Sequence, residues 1–247
     1  MDLRERRTDP QRHPWEVARS RFFRRVVADS LPTRPTSVID VGAGDGWFAA
    51  QLLTDLPQEA RITCWDTHYT ESDLLEALPP GLLRTATAPP YRAPLVLALD
   101  VIEHVEHDHA FVRDDILPLL GDDGTLVVSV PAHQMLFTSH DTALGHYRRY
   151  SAGSLRSLLR EHLDIVRQGS LFTSLLLPRA LSAAAERVRP RAVPPEPESR
   201  WQHGKALTTV VTAALRADAV VGRATSNLRF PPPGLSVWAV CRPRSRP

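Results

Sequence analysis

This chain is poor in several things, and each scarcity excludes something. Lysine is nearly absent: Lys205 stands alone among arginines. Net charge is nearly absent too, with 30 basic residues against 28 acidic ones. That balance gives no electrostatic case for a nucleic-acid partner. Cysteine is scarce. Cys64 and Cys241 both lie in apolar runs that read as strands, so they are expected as buried free thiols in a reducing, cytoplasmic setting. Long apolar runs are missing: none approaches the roughly 20 residues needed to span a bilayer, so no transmembrane segment is expected. Residues Met1 to Arg12 are charged throughout and do not read as a signal peptide.

What is present is enough chain for a substantial core. At 247 residues it fits one large domain, or one domain with an insertion. Residues 1–30 read as a tail and a cap helix. The helix begins at His13-Pro14-Trp15, with Trp15, Ala18, Phe22, Val26 and Val27 on one face. Residues 31–171 read as strands alternating with helices, the signature of a mostly parallel sheet covered on both faces. Strands are expected from Val38, Arg61, Leu82, Leu95, Thr125 and Leu163, and a last one at Gly234–Cys241. Helices are expected over Glu71–Leu78, Asp108–Leu117 and Ser151–Glu161, and a turn over Gly121–Gly124. Residues 172–233 read as a helical insertion broken by a Pro-rich stretch, and 234–247 as the last strand and tail.

The chain is organised around Val38-Ile39-Asp40-Val41-Gly42-Ala43-Gly44-Asp45-Gly46-Trp47. An apolar run ends in a carboxylate, a glycine turn follows, and a helix begins. Glycine lets the backbone take positive φ and approach a ligand closely. The spacing is G-x-G-x-G, and Trp47 sits where a dinucleotide fold has its third glycine. Two carboxylates beside the turn suit a positively charged ligand better than a pyrophosphate. About twenty residues on, the next strand also ends in an acid, Asp66, followed by Thr67. That spacing places a carboxylate at the adjacent strand tip, where it can accept ribose hydroxyls.

The glycine turn, Asp66 and a third stretch, Asp100-Val101-Ile102-Glu103-His104, together resemble the class I S-adenosylmethionine-dependent methyltransferases. The likeness covers roughly Arg34 to Leu171. It implies a Rossmann-like, doubly wound, mostly parallel seven-stranded sheet, with S-adenosylmethionine held by Asp40, Gly42, Ala43, Gly44, Gly46, Asp66, Thr67, Asp100 and Val101. One departure is that Arg84-Thr85-Ala86-Thr87-Ala88 has no acid after the third strand, so the adenine contact is expected from backbone. Two further segments resemble one branch of that superfamily: His13 to Arg19, and Gly145-His146-Tyr147-Arg148-Arg149-Tyr150-Ser151. In such enzymes an N-terminal helix covers the cofactor, which makes Arg19 a candidate partner for the methionine carboxylate.

Several residues carry competing readings. His104, His140 and His146 are candidate general bases, since imidazole titrates near pH 6.5. His104 with Glu103 also reads as the plain floor of a loop, or as part of a cation site; no metal ligand is assigned. Trp15, His133, Tyr147 and Arg148 are candidate acceptor contacts. Arg148 and Arg149 either clamp an acidic substrate group or anchor their loop to backbone carbonyls. Residues 172–233 are expected to cap the acceptor pocket, with a membrane-surface helix as the rival. The expected activity is methyl transfer to an oxygen or nitrogen of a small-molecule acceptor. A peptide terminus, a lipid-linked substrate, and cofactor binding without turnover stand as alternatives. Monomer and homodimer are left open.

Overall fold

The computed structural model describes residues 12–189, 204–226, 228 and 231–244. The N-terminal tail and the Pro-rich stretch from Pro190 to Pro197 lie outside these residues. Seven strands form one sheet: β1 (Ser37–Val41), β2 (Arg61–Trp65), β3 (Leu82–Thr85), β4 (Ala93–Leu99), β5 (Leu120–Pro131), β6 (Leu163–Leu171) and β7 (Ser236–Pro243). Their order is β3-β2-β1-β4-β5-β7-β6. The sheet is mixed. β7 runs antiparallel to both β5 and β6, while the other pairings are parallel. A strand that follows two long helices can return against its neighbours; the parallel pairings each need a crossover.

The central strands are buried on both faces, as their unbroken Val, Ile and Leu runs demand. One face packs on α6 (Ala152–Arg160) through Leu155, Leu158 and Leu159. The other packs on α1 (Pro14–Ser30), α2 (Trp47–Leu53) and α8 (Lys205–Ala224). Helix α1 starts with Pro14 in its first turn and His13 as its cap. The His13 Nδ1 accepts from the Trp15 N–H at 3.0 Å, and Glu16 returns the bond to the His13 N–H at 3.2 Å. Phe23 is buried as well as Phe22, because α1 packs against both the sheet-face core and α8. Helix α8 approaches β6 so closely that a Cβ at Gly222 would meet the Ser170 carbonyl oxygen at 2.6 Å.

Local expectations shift in three places. The third helix, α3, is only Glu71–Leu75. The expected helix from Asp108 is α4 (Asp108–Phe111), then a wider π turn at 112–116 and a 3₁₀ turn at 117–119. Pro118 lacks the N–H that a regular turn would use there. The expected turn at Gly121–Gly124 is absorbed into β5 as an irregularity: β4 pairs Ala93 with Leu120 and then Leu95 with Thr125. Both cysteines are buried and free.

Two further helices complete the fold: α5 (Ser139–Ala143) after β5, and α7 (Leu176–Val188) after β6. Helix α8, in the segment expected to cap the pocket, also serves the sheet: its Leu215 is fully buried in the core. Helix α7 instead rides on the loop after β5. Its Glu186 accepts the Ser139 N–H at 2.7 Å, and Arg187 donates to the Met135 carbonyl. Among the described residues no helix is long and apolar enough to cross a membrane.

Candidate active site

The site lies along the edge where the parallel strands end. Three non-glycine residues have left-handed backbone there: Asp100 after β4 (φ 60°), His133 after β5 (φ 63°) and Phe172 after β6 (φ 66°). Each such conformation costs on the order of 1–3 kcal/mol and persists only where neighbours hold it. Asp100 is held firmly. Its N–H donates to the Ser129 carbonyl at 2.8 Å, and its Oδ1 accepts the Ser129 hydroxyl at 2.9 Å. Arg19 reaches Asp100 Oδ2 at 2.7 Å.

Two cavities adjoin at this edge. The first, of about 400 Å³, is roofed by α1 and floored by the glycine turn. Arg19, Asp40, Gly42, Ala43, Trp15 and His140 line it, as do Glu103, Trp47 and Phe48. The second, of about 610 Å³, opens between β2, the turn after β4, and the loop ending at Tyr147. Asp66, Thr67, Val101, Phe111 and Tyr147 line it. Gly42, Asp100, His104 and His146 face both cavities and form their common wall.

The glycine turn and Asp66 are one unit. The Gly44 N–H donates to Asp66 Oδ2 at 3.1 Å, and the His68 N–H donates to Oδ1 at 3.0 Å. Oδ1 also faces His68 Nδ1 at 3.3 Å, while Oδ2 keeps a second lone pair for a ligand. The turn itself hangs from β2, with the Gly42 N–H donating to the Trp65 carbonyl at 2.7 Å. A Cβ at Gly42, whose φ is +62°, would meet Val101 Cγ2 at 2.6 Å. Asp40 is buried beneath the turn. Burial pushes its carboxyl up to about 7, with nearby Asp66 adding to the rise and Arg19 opposing it.

The wall is built from two loops. His146 and His104 meet edge to face, ring centroids 4.6 Å apart. The Tyr147 N–H donates to the Glu103 carbonyl at 2.8 Å, tying the two loops together. His146 Nδ1 lies 3.0 Å from Asp141 Oδ1. Asp141 is fully buried and also binds Arg149 Nε at 2.8 Å, Arg179 Nη2 at 2.9 Å and the Thr138 N–H at 2.9 Å. Burial alone would raise its carboxyl, but His146 and Arg149 hold it well below the usual range. A carboxylate there accepts a hydrogen bond from Nδ1–H, so the basic lone pair of His146 is on Nε2. His140 sits beside this cluster, its imidazole pushed below its ordinary value by burial and by Arg179.

Glu103 has the least comfortable position. Its side chain is fully buried, and neither carboxylate oxygen has a hydrogen-bond partner. Burial and Asp100 push its carboxyl well above the ordinary value. Glu103, His104 and His146 each offer a ligand atom, all within 4.8 Å of one another.

Other candidates fall outside the cavities. Arg148 pairs with Asp108 at 2.9 Å and donates to the Glu106 carbonyl at 2.5 Å. His133 lines neither cavity, and its N–H donates to the Tyr150 carbonyl at 2.8 Å. Gly44 and Gly46 shape the turn through positive φ and do not line these two cavities. Asp141 was legible in the sequence as an aspartate beside His140, a candidate for holding a histidine in one tautomer, but nothing in the sequence linked Arg179 to it.

Residues 15–162 match the family model described as a methyltransferase domain. Among curated proteins, none matches the chain. Solved structures share the fold at low identity. A putative methyltransferase from Haloferax volcanii, in complex with the Trm112 methyltransferase activator, is 13% identical, with 94% of each chain covered and a TM-score of 0.55. The [4+2]-cyclase SpnF is 16% identical, covering 97% of this chain and 86% of that one, at a TM-score of 0.57. The plantazolicin methyltransferase BpumL, bound to SAH, is 13% identical, covering 94% and 85%, at a TM-score of 0.54.

Proposed function

The chain belongs to the methyltransferase domain family, and from that premise we propose that it uses S-adenosylmethionine to methylate an oxygen or nitrogen of a small-molecule acceptor. The observation that carries this reading is the pair of cavities with one shared wall. Likeness of fold could not carry it alone, since fold does not fix function.

The residues present fit the cofactor. Asp66, a carboxylate with a lone pair left over, would accept the ribose hydroxyls. Val101, Phe111 and Tyr147 offer apolar surface for the adenine in the second cavity. The bare Gly42 backbone and Asp40 would hold the methionine end. Asp40 and Glu103 are each buried beside a second acid, Asp66 and Asp100 respectively, and a positively charged ligand would favour their ionised forms. Arg19 Nε is buried without a hydrogen-bond partner, so one donor remains for a carboxylate. When bound, S-adenosylmethionine supplies an electrophilic methyl group on a sulfonium.

The protein's own work is alignment, exclusion of water, and removal of a proton where the acceptor carries one. Trp15, Trp47 and Phe48 give the first cavity an apolar, aromatic lining for the acceptor. His146 is the base this geometry favours. Its Nε2 lone pair is fixed by Asp141 on the opposite ring nitrogen, and its ring faces both cavities. Arg149 and Arg179 lie on the acceptor side, though both already bind Asp141.

The test is direct. S-adenosylhomocysteine titrated into the protein should bind saturably by calorimetry. S-adenosylmethionine with a panel of phenols, amines and carboxylates should then yield S-adenosylhomocysteine for at least one acceptor class. Absence of binding overturns the cofactor reading. Binding without turnover on any acceptor favours a cofactor-binding protein.

A second reading of the wall rests on Glu103. A divalent cation held by Glu103, His104 and His146 would satisfy its unpartnered buried oxygens. Asp141 would then orient a ligand, as carboxylates behind metal-bound histidines do. Turnover that is lost on chelation and restored by Mg²⁺, Mn²⁺ or Zn²⁺ supports this reading; turnover indifferent to chelation supports His146 as the base.

A further inference from the structure

Helices α7 and α8 turn apolar side chains outward. On α7, Leu177, Leu181 and Val188 are 68%, 63% and 80% exposed. At about 100° per residue they fall within a single narrow stripe. On α8, Leu207, Val210, Val220 and Val221 are exposed in the same way, with exposed alanines between them. Their outward arc is about 140° wide by the same geometry. Neither helix is apolar on this side for want of polar residues. Both have them, and turn them inward. Glu186 accepts from Ser139, Asp218 accepts from Ser174 at 3.0 Å, and Arg223 pairs with Asp29 at 3.2 Å.

The charges left on the outside have one sign. Among the described residues of these helices and their ends, the exposed charged side chains are Arg187, which also donates to the Met135 carbonyl, Arg189 and Arg216. Arg187 and Arg189 flank the α7 stripe on its two sides, and Arg216 borders the α8 arc. Apolar side chains bordered by arginine, with acids withdrawn, match the surface of an anionic bilayer. Leucine and valine enter the acyl boundary, and arginine stems lie along it with their guanidinium groups at the phosphates. The helices would lie on such a surface, since neither is long and apolar enough to cross one.

We propose that the outer faces of α7 and α8 dock this protein onto anionic lipid bilayers. The consequence for chemistry follows from Arg179. It belongs to α7, lines the first cavity, and donates to Asp141, Thr138 and the Leu136 carbonyl. The docking helix is thus bonded to the loop carrying His140 and His146. An acceptor that partitions into the bilayer surface would meet the first cavity beside that helix.

The experiment is co-sedimentation of the full chain with vesicles of phosphatidylcholine alone and with about one third phosphatidylglycerol. The expected result is binding to the anionic vesicles, weakened severalfold in 0.5 M salt as surface charges are screened. Leu177→Ser with Leu181→Ser, and separately Val210→Ser with Val221→Ser, should each weaken binding about tenfold or more. S-adenosylhomocysteine affinity, measured in the same variants, should stay unchanged and so report that they are folded. That measurement also separates this proposal from the reading of the active site, because lipid docking needs no turnover. Wild-type protein that stays in the supernatant overturns the proposal. So does vesicle binding that both variants retain in full. A concentration-dependent dimer abolished by the same substitutions, without vesicle binding, would assign the face to a second copy of the chain instead.

Discussion

Arg19 Nη2 stands 2.7 Å from Asp100 Oδ2, and Ser129 Oγ bridges the two side chains at 2.9 Å from each. The triangle joins the roof helix α1 to the strained residue at the end of β4. Arg19→Met removes the cation and leaves Asp100, about one fifth exposed, facing only Ser129. The expected cost is about 3 kcal/mol, the low end for breaking a buried pair, because some water still reaches the carboxylate. Urea unfolding of Arg19→Met, Asp100→Asn and the double variant measures the coupling. Additive effects would mean that the pair does not hold α1 in place.

Asp66→Ala should weaken S-adenosylhomocysteine binding tenfold or more. Each charge-assisted hydrogen bond lost is worth about 1.5–3 kcal/mol. The Gly44 and His68 N–H groups lose their acceptor as well; water can replace it at exposed His68, while the buried Gly44 bond is lost outright and adds a stability cost. Calorimetry on folded wild type and variant decides; equal affinities would remove Asp66 from the ribose site.

Gly42→Ala puts a methyl group 2.6 Å from Val101 Cγ2 at a backbone angle that favours glycine. The turn and the residue after Asp100 must then separate. Overpacking of this kind typically costs about 1–3 kcal/mol. Cofactor affinity should fall with it, since the bare backbone is what approaches the ligand. Val101→Ala, which relieves the contact, should restore part of both. Failure of that rescue would place the damage in the backbone alone.

Asp40 gives the protein a pH dependence. Its folded pKa is about 7 against an ordinary 3.8, so burial favours the neutral form. Its contribution to stability is fully present below about pH 4 and is lost as pH rises through 7. Binding of a cationic ligand runs the other way, because the carboxylate is the form that attracts it. Affinity for S-adenosylmethionine should therefore fall as pH drops below 7, by up to about tenfold per unit. Calorimetry in buffers of different ionisation heat should show a proton released on binding at pH 6. Asp40→Asn should abolish that release, and a release that persists in the variant would assign the proton elsewhere.

His146→Ala should lower turnover by about a hundredfold, a usual scale for loss of a general base, while leaving S-adenosylhomocysteine affinity within a factor of two or three. Asp141→Ala acts differently. It leaves Arg149, Arg179 and His146 crowded around a vacated anion, at a cost of about 3–5 kcal/mol. A loss of cofactor affinity in His146→Ala as large as the loss of turnover would make the wall structural.

The order of elements up to α6, apart from the short α5, was legible in the sequence because it rests on local signals. Continuous apolar runs ended in Asp40, Asp66 and Asp100, and a parallel sheet puts such ends on one edge. Ser151 capped α6 as expected, with its hydroxyl accepting the Ser154 N–H at 3.0 Å. Turn chemistry was legible too, but not its outcome: Gly121–Gly124 became an irregularity in β5 because pairing with β4 continued past it.

What the sequence determined by itself was the proposed cofactor side, since the glycine turn, Asp66 and Asp100 are each fixed by their own strand end. The proposed acceptor side was decided only by tertiary structure. Asp141 gathers Arg149 from its own loop and Arg179 from α7, and no spacing announces that meeting. Arg19 lies off the apolar stripe of α1 yet is buried, because Asp100 waits for it across the cavity. The antiparallel β7 was equally hidden, since strand direction depends on which edge a distant helix returns the chain to. Periodicity tells which side of a helix is apolar; only packing shows that α7 and α8 keep part of that apolar surface outside.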